Sequence, residues 1–294
     1  MTLPTGVRIR YRRAGRGDAI LLLHGIAHSL RAWDRVIVPL AEHNDVIAVD
    51  LPGCGASDKP DTDYSLGSQA TAIRYVLESL GLDMVTAIGH SLGGGVAMTL
   101  AYQYPELVGR LGLIASGGLG RELHAMFRLA SLPLGPAEVM RLAFSPRTRL
   151  LRRLLATQCG APLFARPHEH REDTIDILRA LEDPDARRAF LRMLRSASSI
   201  GGQAISALDR IGLALFPVLI VWGRQDGIFP VAHAERAAAL IPNARLVVLE
   251  ECGHFPQIEA TAGLLAALTS WLSETKPQRI GVGALLAAAG QAPN

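Results

Sequence analysis

The sequence has few aromatic residues and few cysteines. Phe, Trp and Tyr make up 5% of its 294 residues, and no Lys/Arg cluster is interleaved with them, so we expect no nucleic-acid binding despite a net charge of +3. Cys54, Cys159 and Cys252 are far apart and form no CxxC pair. This spacing argues against a disulfide framework or a zinc site and favours a reducing, cytoplasmic compartment.

Long apolar runs are also missing. The N-terminal residues 1–19 lack the apolar region of a secretory signal, and runs such as AILLLHGIA (19–27) are far shorter than the ~18 residues of a membrane span. We therefore expect no stable membrane insertion. The hydrophobic content of 49% is nevertheless ample for a large core, and the mean hydropathy of +0.22 fits either abundant alanine and leucine or an apolar substrate cavity.

Apolar segments alternate with amphipathic ones along the chain. Residues 65–80 have the pattern of a helix with Ser65 as its N-cap, and 261–274 that of a final helix. Strands are predicted at VRIRYRRAG (7–15), AILLLHG (19–25), DVIAVDLPGCG (45–55), DMVTAIGH (83–90), RLGLIAS (110–116), FPVLIVWG (216–223) and ARLVVLEE (244–251). Fully apolar strands that alternate with helices predict a mostly parallel sheet with helices on both faces.

One long region departs from this alternation. Residues 117–213 contain no convincing strand, only helical patterns, so we predict a helical lid inserted into a core formed by 1–116 and 214–275. Its apolar residues Met140, Leu142 and Phe144 have three candidate roles: packing on the core, lining an acyl pocket, or docking on a membrane. The tail, 276–294, is rich in small residues and is predicted to be loosely attached.

The segment AIGHSLGGGVAM (87–98) places Ser91 between a predicted strand and a predicted helix. In this setting G-x-S-x-G predicts a nucleophile elbow, in which a Cβ at Gly89 or Gly93 would clash as the strand and the helix approach each other. A glycine-rich connection of purely structural value is the alternative interpretation.

A serine nucleophile requires a base, and the base requires an acid. His254 follows the last predicted core strand and Asp226 follows the one before it, so both should reach the sheet edge where Ser91 lies. An aspartate that only caps a turn is the alternative for Asp226. Taken together, Ser91, Asp226 and His254 predict a catalytic triad in the chain order of an α/β-hydrolase.

The oxyanion of a tetrahedral intermediate needs two donors. The Leu92 amide, at the start of the helix, is one candidate, and the Ile26 amide, in the loop after His24 and Gly25, is the other. We expect His24 to brace that loop and His90 to pack beside Ser91, rather than to act as second bases.

Five short segments resemble the α/β-hydrolase superfamily: HG at 24–25, DLPGCGASDKP at 50–60, GHSLGG at 89–94, GRQDGIFP at 223–230 and GHF at 253–255. The resemblance runs from about residue 7 to 274. It is closest to the lidded branch that includes bacterial esterases, meta-cleavage-product C–C hydrolases, perhydrolases and epoxide hydrolases. It implies an eight-stranded sheet with a helical cap after the sixth strand.

Differences from the motifs of related hydrolase groups narrow the range of expected activities. A serine nucleophile argues against epoxide and haloalkane hydrolases, which use aspartate. HGIAHS and His90 differ from the HGxGPG loop and the asparagine of C–C hydrolases, and Ile26 replaces the aromatic residue usual in perhydrolases. The favoured prediction is a serine hydrolase of a small to medium apolar ester; C–C hydrolysis, perhydrolysis and a non-catalytic binding protein are the alternatives.

We expect no cofactor and no metal in this protein. His168, Glu169 and His170 have no further ligands in view, which favours a solvated loop over a metal site. Cys54 and Cys252 lack the base that a catalytic thiol requires. A homodimer is compatible with the sequence.

Overall fold

Seven strands form the main sheet of the computed structural model, which describes residues 1–132, 135–205, 216–242 and 244–279. Two further strands form a separate hairpin. In chain order the strands are β1 Tyr11–Ala14, β2 Asp18–Leu23, β3 Asn44–Val49, β4 Val85–His90, β5 Val108–Ile114, β6 Ser198–Ser199, β7 Gly202–Gln203, β8 Val218–Gly223 and β9 Arg245–Leu249. The main sheet has the order β1-β3-β2-β4-β5-β8-β9, and β1, which is antiparallel to β3, is its one antiparallel strand among the described residues.

The helices follow most of the parallel strands. Those of the core are α1 Asp34–Ala41, α2 Leu66–Ser79, α3 Leu92–Gln103, α10 Ala232–Leu240, α11 Pro256–Glu259 and α12 Thr261–Glu274. Those between β5 and β8 are α4 Ala125–Ala130, α5 Pro136–Ala143, α6 Arg149–Leu154, α7 Ala156–Gly160, α8 Arg171–Ala180 and α9 Pro184–Ala197. Short 3₁₀ helices span Leu30–Trp33, Pro105–Leu107 and Pro146–Thr148. The Ser65 side chain accepts from the Ser68 amide, so its predicted role as the N-cap of α2 is confirmed.

Both faces of the central strands are buried, which explains why these strands are mostly apolar, whereas the edge strand β1 is exposed and carries two arginines. Leu21 and Leu23 of β2 point to the face covered by α2, α3 and α10. Their neighbours Ile20 and Leu22 point to the opposite face, covered by α1 and α12. Successive side chains of a strand alternate between faces, so only a strand that is apolar at every position fills both layers.

The number of strands in the main sheet differs from the expectation. Seven described strands replace the eight that the family resemblance implied, and the strand predicted at 7–15 contributes only Tyr11–Ala14. The predicted strand is shorter because the backbone of Arg8 and Arg10 bonds to the loop at 50–58: Asp50 N donates to Arg10 O and Asp58 N donates to Arg8 O, each at 2.9 Å.

The region between β5 and β8 also contains more than helices. The hairpin of β6 and β7 lies inside the stretch that we expected to be free of strands, because its two-residue strands are too short to give a sequence pattern. The predicted boundaries of the lid stay predictions, and its residues 206–213 lie outside the described residues, as do 280–294 of the predicted tail. No helix in the described part of the chain is long and apolar enough to cross a membrane.

Candidate active site

Ser91 occupies the turn between β4 and α3, with φ 53° and ψ −117°. A positive φ is strained for a residue that has a side chain, and it persists where the surroundings fix it. Here the Ser91 amide donates to Ile114 O at 3.0 Å, and Ser91 O accepts from Gly117 N at 2.9 Å. Both partners belong to or follow β5, so the neighbouring strand holds the strained turn in place.

Two glycines allow this turn to be so tight. A Cβ at Gly89 would lie 2.2 Å from the carbonyl oxygen of Gly93, and a Cβ at Gly93 would lie 2.3 Å from that of Leu23. A third glycine, Gly94, leaves room for Ser116, whose Oγ would be 2.1 Å from a Cβ there. Strand β4, helix α3 and the end of β2 therefore meet at positions that tolerate no side chain.

The structure brings Ser91, His254 and Asp226 together, although they are distant in sequence. Ser91 Oγ lies 3.0 Å from His254 Nε2, and His254 Nδ1 lies 2.9 Å from Asp226 Oδ2. The Asp226 carboxylate is fully buried, and its Oδ1 accepts from the amides of Ile228 at 2.8 Å and Phe229 at 3.0 Å. Because the carboxylate only accepts, His254 Nδ1 carries the proton and Nε2 is free to accept from the serine hydroxyl.

Glycines also join the loops that carry the acid and the base. A Cβ at Gly223, at the end of β8, would lie 2.1 Å from Gly253 O. One at Gly253 would lie 2.5 Å from Ala165 N, in the region between the core strands. The His254 amide donates to Leu163 O at 2.7 Å. The position of His254 therefore depends on the 163–165 segment as well as on the core.

The loop after β2 lies against Ser91. A Cβ at Gly25 would lie 3.1 Å from Ser91 Cβ, so a larger residue would push the loop and Ile26 away from the serine. The fully buried His24 ring donates from Nδ1 to Gly25 O at 2.7 Å, and its Nε2 accepts from Leu51 N at 3.1 Å. Burial lowers the pKa of His24, so the ring is neutral. Its two hydrogen bonds link the loop after β2 to the start of the loop after β3.

His90 packs beside the site. Its Nε2–H donates to His254 O at 2.7 Å, and its ring centroid lies 4.7 Å from that of Phe255. Burial lowers its pKa well below the usual range, and the neighbouring His254 lowers it further. Its Nδ1 has no hydrogen-bond partner in the described ranges. This geometry makes His90 a support for the backbone of His254.

An apolar cavity of about 400 Å³ lies over Ser91 and His254. Ile26 and Leu92, whose amides are the predicted oxyanion donors, both line it. Much of the remaining wall comes from α4, α5, α8 and α9, through residues such as Phe127, Met140, Ile177, Phe190 and Leu194. The volume and the lining fit an apolar group of small to medium size.

Two acidic residues that the sequence did not single out organise the loops of the site. Glu259 accepts from three backbone amides: Ala165 at 2.7 Å, Gly253 at 3.0 Å and Phe255 at 3.0 Å. The buried Asp50 accepts from the amides of Leu30 at 2.6 Å and Ala56 at 2.8 Å. Glu259 stands five residues after His254, but that spacing has no meaning until the fold places the three amides around it.

The cysteines and the 168–170 segment, which the sequence also raised as candidates, have no catalytic or metal-binding arrangement. Burial raises the pKa of Cys54 to about 12, and it also raises the pKa of Cys252, so neither thiol is a thiolate near neutral pH. His170 directly precedes α8, and its Nδ1 lies 3.3 Å from Oδ2 of Asp173 in the first turn of that helix. Across the described part of the chain, no three His, Cys, Asp or Glu residues are grouped to hold a metal ion.

Comparisons with known proteins agree on the family. A family model for the alpha/beta hydrolase fold matches residues 18–261. An uncharacterised Mycobacterium bovis protein is 40% identical over 289 residues, which cover 96% of this chain and 83% of the relative. The 2-hydroxy-6-oxo-6-phenylhexa-2,4-dienoate hydrolase of Burkholderia cepacia is 29% identical over 257 residues, which cover 86% of each chain.

The fold of this chain is also similar to that of a solved structure. Est816, an N-acyl homoserine lactone degrading enzyme, superposes with a TM-score of 0.71 at 27% identity, covering 91% of this chain and 98% of Est816. The family match includes the sheet from β2 to β9 and the segments that carry Ser91, Asp226 and His254. The chain therefore belongs to the alpha/beta hydrolase family.

Proposed function

We propose that the protein is a cofactor-independent serine hydrolase that cleaves the carboxylic ester of a small to medium apolar molecule. The observation that carries this proposal is the chain of contacts from Ser91 Oγ to His254 (3.0 Å) and on to the buried Asp226 (2.9 Å), at the floor of an apolar cavity. The likeness to Est816, whose lactone substrate is a cyclic ester, supports ester chemistry.

In the proposed mechanism, Ser91 Oγ attacks the ester carbonyl carbon while His254 Nε2 takes the hydroxyl proton. Asp226 holds the imidazole in the required tautomer and stabilises its protonated form. The Ile26 and Leu92 amides donate to the oxyanion. The carbon–oxygen bond then breaks, and the leaving alcohol takes the proton from His254. Water, deprotonated by His254, attacks the acyl-enzyme, releases the acid and restores the Ser91 hydroxyl.

Removing the Ser91 hydroxyl tests this proposal. For p-nitrophenyl esters of graded acyl length, we expect Ser91→Ala to lower kcat by at least about 10³-fold. Ser91→Gly should be equally inactive while accepting the φ of 53° without strain, so circular dichroism of both variants separates lost chemistry from lost folding.

A fluorophosphonate label gives an independent measurement. Peptide mass spectrometry should find the adduct on Ser91 and not on Ser198, which lines the same cavity but donates its hydroxyl proton to Leu194 O at 2.7 Å. An unlabelled Ser91, or full activity in Ser91→Ala, would refute the proposal.

Carbon–carbon bond hydrolysis is a second candidate, favoured by the 29% identity to the Burkholderia cepacia dienoate hydrolase. The same Ser91 and His254 would then act on a vinylogous diketone. We expect kcat/KM for p-nitrophenyl esters to exceed that for a 2-hydroxy-6-oxo-hexadienoate. The reverse order would assign the protein to the second activity.

A further inference from the structure

The short helices α4–α6 turn apolar side chains toward solvent. In the described part of the chain, six of the nine large apolar side chains that are more than half exposed lie between residues 129 and 154. These six are Leu129, Val139, Leu142, Leu150, Leu151 and Leu154. A monomeric soluble domain rarely exposes so many large apolar side chains in one segment without a function for them.

Helix α6 has the clearest orientation. At about 100° per residue, the leucines of the sequence RLLRRLL (149–155) fall within an arc of about 140°, and its three arginines occupy the other side. Leu150 is 70% exposed, whereas the Arg152 side chain is only 12% exposed and donates to Glu182 at 2.8 Å. The apolar side of α6 therefore faces solvent; Arg149 and Arg153 are exposed as well, and of the three arginines only Arg152 is mostly buried.

The inward sides of the same helices line the cavity over Ser91. Phe127 of α4, Met140 of α5 and Arg152 of α6 all contribute to its wall. Helices α4–α6 therefore separate the cavity from solvent, and their outward leucines lie across this wall from the apolar interior.

The charge of this segment favours one type of partner. Residues 125–160 contain six arginines, one glutamate and no lysine or aspartate, against a net charge of +3 for the whole chain. Arg149 and Arg153 of α6 line a second pocket, of about 320 Å³, together with Arg179 and Glu182. A two-fold dimer through this face would bring two arginine-rich surfaces together. An anionic lipid surface, in contrast, complements both the arginines and the leucines.

We propose that α4–α6 form a docking surface for an anionic phospholipid bilayer. The exposed leucines enter the boundary between headgroups and acyl chains, and the surrounding arginines bind the lipid phosphates. Docking places the wall of the cavity against the bilayer, which gives an apolar substrate a route from lipid to Ser91. The proposed attachment is peripheral.

Co-sedimentation of the full chain with lipid vesicles tests the proposal. The Ser91→Ala protein should bind vesicles of phosphatidylcholine containing about 30% phosphatidylglycerol more tightly than pure phosphatidylcholine, and high salt should weaken the binding. Leu150→Ser combined with Leu154→Ser should lower the partition coefficient at least about tenfold, and Arg153→Glu should lower it as well.

Matched control variants lie outside this surface. Val38→Ser combined with Leu240→Ser removes two comparably exposed apolar residues, and Arg16→Glu reverses an exposed charge; each should bind vesicles like the parent. Equal loss in the controls, equal binding to neutral vesicles, or no binding would overturn the proposal. So would a dimer, seen by light scattering, that the leucine substitutions dissociate. All of these substitutions are made in the Ser91→Ala protein. Because that protein lacks the serine nucleophile, the outcome does not depend on the proposed esterase activity.

Discussion

Among individual residues that do not touch the proposed reacting atoms, Glu259 binds the backbone of both segments that position His254. One carboxylate receives three amides from two segments, 163–165 and 253–255, and the second segment carries His254. Hydrogen bonds to an ionised acceptor are stronger than neutral ones, because the charge adds to the dipole interaction. Glu259 therefore fixes where the imidazole stands relative to Ser91.

We predict that Glu259→Gln lowers kcat for ester hydrolysis about 10- to 100-fold with a smaller change in KM, since a glutamine presents one acceptor oxygen where the carboxylate presents two. The free energy of unfolding should fall by about 1–3 kcal/mol. Steady-state kinetics and urea unfolding measure the two effects.

The control for this variant is Glu251→Gln. Glu251 is close in sequence, but its side chain is 74% exposed and pairs with Arg166. The Glu251→Gln protein should keep the kcat and the free energy of unfolding of the parent protein. A Glu259→Gln protein with unchanged kcat would show that the amides hold His254 without the carboxylate.

At the scale of elements, one carboxylate anchors α6 to the segment between α8 and α9. Glu182 receives Arg149 at 2.6 Å and Arg152 at 2.8 Å. Burial alone would raise the pKa of Glu182, but its bonds to the two arginines outweigh that effect and lower it. The carboxylate therefore stays charged and holds the first turn of α6 while the leucines on its other side remain in solvent.

We predict that Glu182→Gln loosens α6 without unfolding the core. Because Arg149 is mostly exposed, we discount its pair for solvent screening and expect a local cost of about 1 kcal/mol, mainly from Arg152. Native-state trypsin cleavage at Arg149–Arg153 should become about fivefold faster. Glu169→Gln, which removes an exposed partner of Arg166, serves as the control. Equal cleavage rates in both variants would contradict the anchor.

The strands and helices also show which structural features a sequence pattern predicts and which it does not. Buried strands and the turn at Ser91 are encoded by local runs and glycines, so their positions were predictable. The amphipathic pattern of α6 was visible too, but periodicity does not tell which side of a helix faces the core. The role of Glu259 could not be predicted, because its partners at 165 and 253 come together only in the fold. The length of the strand at 7–15 was overestimated, because Arg8 and Arg10 bond to a loop.

For the whole molecule, buried histidines couple folding to pH. Burial lowers the pKa values of His24 and His90, and it lowers the pKa of His28 to about 4. Between the unfolded value of 6.5 and the folded value, the unfolded chain binds a proton that the folded chain does not. The free energy of unfolding therefore falls as pH decreases through this window, and above it these groups cause no loss.

We predict that His28→Gln flattens this dependence. Removing one such group should reduce the stability lost between pH 7 and pH 5 by at most about 2 kcal/mol, since each group contributes about 1.4 kcal/mol per pH unit in the window. Urea unfolding at several pH values measures the slope. His43→Gln, at an exposed position, should leave the slope unchanged. A slope that is the same in both variants would contradict the shifted pKa of His28.

The bonds from Leu163 O to the His254 amide and from Ala165 N to Glu259 limit how separable the two parts of the molecule are. A chimera that replaces the segment between β5 and β8 in order to change the substrate range also replaces the backbone against which the histidine rests. Exchange between homologues should therefore keep residues 163–165 with the core. Substrate range and turnover are thus coupled in this chain through a three-residue contact, and selection for one acts on the other.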